Sequence, residues 1–280
     1  MRHKSTKSNF FKGRYVTNKK LVYTVYFTLR LSVLLMLVLQ FFNRNYENVL
    51  LCVLTLVLLV LPAALERRLH IDLPDTLEII IMLFIYAAEI LGEIQSFYIH
   101  FPYWDTMLHT MNGFLCAAIG FALVDLLNRN ERVSLNLSPF FMAVVAFCFS
   151  MTVGVVWEFF EYTMDHFFLL DMQKDTILDT ISTVNLDPNQ GTQAVVIRGI
   201  EDVILVLEDG TRRALGLGGY LDVGIADTME DLFVNFIGAA VFSAIGFFYV
   251  KNRGKSAIAP QFIPKVLEKP ETPPAGERKE

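Results

Sequence analysis

Carboxylate and imidazole side chains recur at helical spacing in four apolar stretches of the sequence. These sets are Glu89 with Glu93; Asp105 with His109; Glu158, Glu161 and Asp165; and Asp227 with Asp231 and Asn235. Steps of three and four residues place the members of each set on one face of a helix. A charged side chain at the centre of a membrane span costs roughly 2.5–3.5 kcal/mol on insertion scales, so such residues face the bundle interior and mark function.

Positive partners for these acids are scarce in the same stretches. No Lys or Arg occurs between positions 69 and 128, between 133 and 173, or between 214 and 250. Protonation, a metal ion or a cationic ligand is then left to compensate the negative charge. Because carboxylates with one or two imidazoles form a hard, oxygen-rich ligand set, the composition favours Mg²⁺, Mn²⁺ or Ca²⁺ over Zn²⁺.

Two overlapping roles are predicted for these residues. The predicted metal ligands are His109, Glu158, Glu161, Asp165, Asp227 and Asp231, and the predicted catalytic groups are Asp105, His109, Glu158 and Glu161. Such a set can perform general acid–base catalysis or metal-assisted hydrolysis and phosphoryl transfer. It can equally bind and release an ion.

Simpler interpretations exist for part of this set. Asp105 and Asp227 stand near predicted helix N-termini, where an acid stabilises the helix dipole without any further role. Solvation at the mouth of the bundle explains Glu89 and Glu93 equally well. The two glutamates of the fifth helix are harder to explain structurally, because acids near a helix C-terminus oppose the dipole and here repel each other.

Membrane-spanning helices are the elements that position these residues. Of the 280 residues, 54% are hydrophobic and 19% charged, with a mean hydropathy of +0.44, and a span needs about 20 mostly apolar residues. Six such runs occur, at Leu21–Phe42, Val49–Leu65, Leu77–Phe97, Thr106–Leu127, Phe140–Tyr162 and Ile225–Val250. The sequence therefore predicts an all-α membrane protein, a six-transmembrane-helix bundle over residues 21–250 that contacts membrane lipid and no nucleic acid. Gly113, Gly238 and Gly246 are expected to allow close packing between its helices.

The distribution of Lys and Arg sets the orientation of these spans. Both residues are concentrated in the N-terminal segment 1–20, between the second and third spans, between the fourth and fifth, and after the last. We therefore expect both termini in the cytoplasm. The third and fifth helices then carry their acids near their C-terminal ends and the fourth and sixth near their N-terminal ends, so all four sets converge in the outer half of the membrane.

The long connection between the fifth and sixth spans has the composition of a small β-rich extracytoplasmic insert, at residues 181–224. Its segments Val203–Glu208 and Thr211–Leu215 are typical of two strands, joined by Asp209-Gly210, a pair that suits a two-residue turn with positive φ angles. The proline-rich and charged residues 252–280 predict a disordered cytoplasmic tail.

Three sequence runs carry a resemblance to known membrane proteins. They are Trp104-Asp-Thr-Met-Leu-His109-Thr-Met-Asn-Gly113, Trp157-Glu-Phe-Phe-Glu161 and Asp227-Thr-Met-Glu-Asp231-Leu-Phe-Val-Asn235-Phe-Ile-Gly238. Over about residues 75–250 the chain resembles the bacterial YjdF-like inner-membrane proteins. It is also distantly similar to VanZ-like membrane proteins, whose final Asp-x-x-x-Asn-x-x-Gly helix is matched by Asp231, Asn235 and Gly238. The resemblance implies a location in the bacterial inner membrane and supplies no reaction.

Three functional hypotheses follow from these patterns. The first is a metal-dependent enzyme within the membrane that acts on a lipid or envelope substrate at the outer face. The second is a transporter or sensor of a cation or cationic compound, although Asp125 is almost the only acid in the cytoplasmic half of the spans. The third is a non-catalytic assembly factor that uses the β-rich insert to bind its partner.

The orientation is testable by cysteine labelling. In a background with Cys52, Cys116 and Cys148 replaced, Asn189→Cys should react with an impermeant thiol reagent added from outside, because the insert is expected to be extracytoplasmic. Asn130→Cys should react only after the membrane is permeabilised. The reverse pattern would place the acidic sets on the cytoplasmic side.

Overall fold

The structure is a computed structural model that describes residues 19–69, 71–129, 137–252, 254, 256 and 258–266. Most of these residues are helical. The helices are α1 (Lys19–Phe42), α2 (Tyr46–Leu58), α3 (Leu61–Leu69), α4 (Asp75–Tyr86), α5 (Phe97–His100), α6 (Trp104–Arg129), α7 (Pro139–Phe168) and α8 (Ile225–Lys251), and a π-helix at Ala87–Ile94 continues α4.

Five helical segments of the described chain are long and apolar enough to cross a membrane. They are Lys19–Phe42, Tyr46–Arg68, Trp104–Asn128, Pro139–Phe168 and Ile225–Lys251. The remaining predicted span corresponds to α4 and its π-helical continuation, where the α-helical hydrogen-bond pattern ends at Tyr86. The count of six spans therefore stays a prediction.

Local sequence signals explain where several helices begin. Pro139 is the first residue of α7, and the side chain of Ser138 accepts a hydrogen bond from the backbone N–H of Phe141 at 3.2 Å. The side chain of Asn45 accepts one from Asn48 at 3.2 Å at the start of α2. Proline at the first helical position and a polar side chain just before it satisfy N–H groups that have no partner inside the helix. Beyond these caps, the apolar runs continue as helices because only a helix satisfies its own backbone in lipid.

The chain divides into two units, Met1–Thr152 with Asn235–Glu280, and Val153–Val234, so α7 and α8 contribute to both. Buried apolar side chains join the helices of the first unit in three clusters. One connects α6, α7 and α8 through Phe121, Met142 and Phe242; another connects α1, α2 and α4 through Val33, Cys52 and Met82; the third connects α4 and α6 through Leu77 and Leu115.

Helices α6 and α8 approach each other through glycines at two levels. A Cβ atom on Gly113 would collide with the carbonyl oxygen of Asn235, and one on Gly238 would collide with the carbonyl oxygen of Thr110. A Cβ on Gly246 would likewise press on the ring of Phe121. The sequence interpretation of these three glycines as packing positions is confirmed.

Polar side chains add a third helix to this crossing. The buried hydroxyl of Ser150 on α7 donates to the carbonyl oxygen of Gly113 at 2.7 Å. The side-chain amide of Asn235, which is 1% exposed, accepts a hydrogen bond from Asn112 at 3.3 Å and donates to the sulfur of Met151 at 3.6 Å. Helix association in lipid relies on such close packing and interhelical hydrogen bonds, because lipid tails are as apolar as the side chains.

Chain segments far apart in sequence meet at the start of α4. The Nζ atom of Lys19 lies 3.1 Å from a carboxylate oxygen of Asp75 and 3.7 Å from one of Asp72. Strand β1 (Ile71–Asp72) pairs antiparallel with β8 (Lys265–Val266), which follows the last helix. The N-terminus of α1, the connection before α4 and the segment after α8 therefore lie together.

This pairing changes one expectation about the C-terminal segment. The sequence predicts a disordered tail over 252–280, whereas a short 3₁₀ helix forms at Ala259–Gln261 and strand β8 follows it. The reason is burial, since Ala259 and Ile263 are 0% and 2% exposed and pack in the α6–α7–α8 cluster. Residues 267–280 and most of the basic segment 1–20, namely 1–18, lie outside the described residues.

The second unit contains the insert between α7 and α8. Its strands form three antiparallel pairs: β2 (Ile177–Leu178) with β7 (Tyr220–Leu221), β3 (Thr180–Thr183) with β4 (Val195–Arg198), and β5 (Ile204–Val206) with β6 (Arg212–Ala214). The strands thus begin a few residues before the predicted insert at 181–224.

The β5–β6 turn differs from the two-residue turn predicted at Asp209-Gly210. Leu207 N–H donates to the carbonyl oxygen of Thr211 at 2.9 Å, so three residues form the loop, and within it only Gly210 has a positive φ, of 83°. The carboxylate of Asp209 accepts hydrogen bonds from the backbone N–H and the hydroxyl of Thr211. This is a three-residue hairpin loop with glycine in the left-handed position, and the two-residue prediction was wrong.

The α6–α8 crossing yields a stability prediction. Gly113→Ala or Gly238→Ala should lower the free energy of unfolding by about 1–3 kcal/mol, because the new methyl group overpacks a backbone contact. Ala244→Leu, which enlarges an exposed position of α8, is the matched control and should leave stability nearly unchanged. Thermal unfolding in mild detergent measures all three. If both glycine variants unfold at the same temperature as the wild type, the close α6–α8 contact at these positions does not contribute to stability.

Candidate functional site

Three predicted site residues come together in the second unit. Glu158 and Glu161 on α7 and Asp231 on α8 each offer a carboxylate oxygen, and these oxygens all lie within 4.8 Å of one another. The residues are 5%, 8% and 3% exposed, respectively. We call these three residues the acidic group.

Helix geometry explains the arrangement of the acidic group. The two glutamates are three residues apart on α7 and therefore share one face of that helix. Asp231 lies one helical turn after Asp227, in the part of α8 that follows the helix start. At a dielectric constant of about 20, two ionised carboxylates at this separation repel by about 3 kcal/mol or more. Three ionised carboxylates at this separation would therefore repel one another strongly.

A tryptophan contacts the acidic group. The indole Nε1–H of Trp157 donates a hydrogen bond to Oε1 of Glu161 at 3.0 Å. The Trp157 ring also packs on that of Phe160, with 5.3 Å between ring centroids. In the sequence, the signal for this contact is the spacing of four residues between Trp157 and Glu161, which places both on one face of a helix.

Asp165 and Asp227, also predicted as metal ligands, hold the chain that leaves α7. The carboxylate of Asp165 accepts hydrogen bonds from the backbone N–H groups of Met172 at 2.6 Å and Gln173 at 2.8 Å. Asp227 accepts one from the backbone N–H of Lys174 at 2.8 Å, and the Gln173 side chain donates to the hydroxyl of Thr228. These contacts give both aspartates a structural role. Their predicted metal binding stays a prediction.

Asp222 fixes the start of α8, which the sequence reasoning missed. Its buried carboxylate accepts hydrogen bonds from the backbone N–H groups of Thr176 at 2.8 Å, Gly224 at 3.2 Å and Ala226 at 2.8 Å. Burial acts to raise the pKa of Asp222, but these hydrogen bonds outweigh it and hold the pKa below the ordinary value of 3.8. The signal was an acid just before an apolar run, as expected for a helix cap.

The pKa of the nearby Asp175 is shifted in the opposite direction to that of Asp222. Burial, followed by the charges of Asp171 and Asp222, raises the pKa of Asp175 above the ordinary value of 3.8. This burial is only slight, because the side chain of Asp175 is largely exposed. Ionisation of Asp222 therefore stabilises the fold, whereas ionisation of Asp175 does not.

Asp105 and His109 belong to the first unit, where they lie one turn apart on α6. Nε2 of the buried His109 is 3.5 Å from Oδ1 of Asp105. Glu89 and Glu93 also lie in this unit, on the π-helix, with Glu89 half-buried and Glu93 exposed. The π-helix, a rare element that occurs frequently at functional sites, was not predicted from the sequence. The predicted convergence of all four sets stays a prediction.

Comparison with known proteins identifies a family and no reaction. A family described as "Predicted membrane protein (DUF2238)" matches residues 25–252. A protein of Thermotoga maritima described as uncharacterized is 25% identical over 124 residues, which cover 43% of this chain and 62% of that protein's length. The chain thus spans less than two thirds of that relative. No solved structure matches.

The hydrogen bonds of Asp222 generate a prediction about pH. Because the folded protein lowers the pKa of Asp222, its ionised form stabilises the fold above about pH 4, and this stabilisation is lost as the pH falls through the folded pKa. Asp222→Asn should reduce the protection of the Thr176 and Ala226 amides against hydrogen exchange. The wild type should lose this protection as the pH falls, and the variant should show most of that loss already at neutral pH, with little further change in acid.

Asp175→Asn is the matched control for that experiment. Nearby negative charge disfavours the ionised form of Asp175. Removal of this charge should therefore leave the hydrogen-exchange protection of the Thr176 and Ala226 amides equal to that of the wild type or slightly greater. Equal protection in Asp222→Asn and the wild type throughout the acid range would contradict the capping role.

Proposed function

Because this chain belongs to the DUF2238 family of predicted membrane proteins, we propose a function from the chemistry of its buried acids: the protein binds a divalent cation through Glu158, Glu161 and Asp231. The observation that carries this proposal is the approach of three buried carboxylates from α7 and α8 to within 4.8 Å. The proposal concerns an integral membrane protein with its binding residues inside the predicted spans.

The separation of the oxygens supports a shared ion. Oxygen ligands lie about 2.3–2.6 Å from Ca²⁺ and about 2.0–2.1 Å from Mg²⁺. Two oxygens on opposite sides of one Ca²⁺ are therefore about 4.6–5.2 Å apart, so oxygens that lie within 4.8 Å of one another are close enough to share one ion. Charge supports the same conclusion, since a divalent cation compensates two of three carboxylates and one proton compensates the third.

The donor atoms favour hard cations. All three residues offer carboxylate oxygens, the ligands preferred by Mg²⁺, Mn²⁺ and Ca²⁺, whereas Zn²⁺ sites more often contain histidine or cysteine. We take Ca²⁺ and Mn²⁺ as the best candidates, because they accept more varied geometry than the near-ideal octahedron that Mg²⁺ demands.

We extend the proposal to six spans with both termini in the cytoplasm of a bacterial cell. Residues 75–94 of α4 and the π-helix number about 20, which is enough to cross about 30 Å of hydrocarbon. The ion pair between Lys19 and Asp75 and the pairing of β1 with β8 support a common side for the segments before α1, before α4 and after α8. This is the arrangement that the Lys and Arg distribution requires. Under it, the acidic group lies toward the outer face.

Cation binding is the step shared by two of the three functional hypotheses. A metal-dependent enzyme acting on a lipid or envelope substrate would add catalysis to the bound ion, and a cation transporter would add release of the ion on the other side of the membrane. The VanZ-like pattern of Asp231, Asn235 and Gly238 remains a resemblance. An assembly factor does not require the ion, so metal binding separates it from the other two.

Terbium luminescence tests the proposed site. Tb³⁺ prefers oxygen ligands as Ca²⁺ does, and it emits when a nearby tryptophan transfers energy to it. The chain has two tryptophans, of which Trp157 is bonded to Glu161. We expect tryptophan-excited Tb³⁺ emission that excess Ca²⁺ or Mn²⁺ displaces, weakened in Trp157→Phe and lost in Glu158→Gln.

Thermal unfolding provides the second measurement and the contrary outcome. With a bound ion, Glu158→Gln should destabilise the protein and chelator should lower the melting temperature of the wild type only. With no ion, removal of one carboxylate relieves repulsion and the variant should be equally or more stable. Absence of Tb³⁺ emission together with an unchanged melting curve after verified metal removal would overturn the proposal.

A further inference from the structure

The hydrogen bond between Trp157 and Glu161 has a role that interfacial placement does not require. Tryptophans of the membrane interface direct their indole N–H toward headgroups and water. Trp157 is 42% exposed, yet its Nε1–H donates to the carboxylate of Glu161, which is 8% exposed. The polar end of the indole is therefore directed at the acidic group while part of the ring stays on the surface.

We propose that Trp157 is a positioning residue of the cation site: it holds the Glu161 carboxylate in the orientation in which it meets a cation together with Glu158 and Asp231. This inference rests on the proposed function. It assigns to Trp157 no contact with the ion itself.

The geometry of α7 makes the contact possible. Residues four apart on a helix are neighbours on its surface, and the indole N–H reaches Oε1 at 3.0 Å. A glutamate side chain has three rotatable bonds, so an unrestrained carboxylate loses entropy when it binds an ion. The indole restrains it in advance. Its own ring is restrained in turn by the contact with Phe160, at 5.3 Å between centroids.

Electrostatics acts in the same direction. A hydrogen bond to an ionised acceptor is roughly twice as strong as a neutral one, and its N–H dipole stabilises the negative charge on that acceptor. Glu161 therefore keeps a partner for one oxygen without a competing positive charge, because tryptophan, unlike Lys or Arg, donates without carrying a charge. A cation that approaches the acidic group then meets a carboxylate that Trp157 has already oriented. Groups that orient metal ligands commonly change metal affinity by about 10–100-fold.

Mn²⁺ titration, with free Mn²⁺ followed by electron paramagnetic resonance, tests this assignment on the full-length protein in detergent. Trp157→Phe keeps an aromatic ring and removes the N–H donor, and it should weaken Mn²⁺ binding about 10–100-fold. Phe159→Leu, at an exposed position of the same helix that contributes nothing to the proposed site, should bind Mn²⁺ within about threefold of the wild type. Circular dichroism and thermal unfolding verify that each variant is folded.

A double-mutant cycle separates positioning from a general structural effect. If Trp157 acts through Glu161, Trp157→Phe should change Mn²⁺ affinity less than about twofold in a Glu161→Ala background, which has no side-chain acceptor for the indole N–H. Equal Mn²⁺ affinity of Trp157→Phe and wild type, or the same loss in both backgrounds, would overturn the assignment of Trp157 while leaving the cation site intact. Failure of the wild type to bind Mn²⁺ at all would instead overturn the proposed function, and the assignment with it.

Discussion

The close approach of α6 and α8 is the constraint on which the architecture of the first unit depends. In lipid, apolar side chains gain little by leaving their surroundings, so helices associate where backbones come close and polar groups pair. Gly113 and Gly238 each face a backbone carbonyl of the opposite helix. At the same place the hydroxyl of Ser150 on α7 donates a hydrogen bond to the carbonyl oxygen of Gly113, and the buried side chain of Asn235 accepts one from Asn112. Three long helices are thus joined by contacts that no apolar substitution reproduces.

Carboxylates serve two distinct purposes in the second unit. Asp165, Asp222 and Asp227 accept hydrogen bonds from backbone N–H groups at the ends of α7 and α8, where the chain turns and its backbone lacks helical partners. Each of these acids gives backbone N–H groups in the loop after α7 or at the start of α8 a partner that they would otherwise take from water. Glu158, Glu161 and Asp231 instead face one another. A set of like charges gives the fold no comparable advantage, so the second purpose is the one that indicates function.

Helix periodicity places the acids that accept backbone hydrogen bonds next to the acids of the acidic group. Asp165 follows Glu161 by one turn, and Asp227 precedes Asp231 by one turn. On each helix, an acid that fixes the adjoining loop is thus next to an acid of the candidate site. This placement means that the loop Met172–Lys174 and the acidic group are held by neighbouring turns of the same two helices. The proposed cation site and the acids that fix the adjoining loop therefore share a short stretch of sequence, and spacing alone does not distinguish them.

The sequence alone determined the membrane-spanning character, the faces that carry the acids and the glycines that pack, because hydropathy and helical spacing act locally. It also identified Glu158, Glu161 and Asp231 among several acids of similar spacing. Only the tertiary structure decided which acids meet and which accept backbone hydrogen bonds, because that depends on which helices are neighbours. The π-helix at Ala87–Ile94, the three-residue turn at Gly210 and the return of residues 265–266 to pair with 71–72 likewise came from the fold. The strand pairing depends on contacts between residues distant in sequence, and the π-helix and the turn depend on which backbone hydrogen bonds form locally. Composition and periodicity do not encode either.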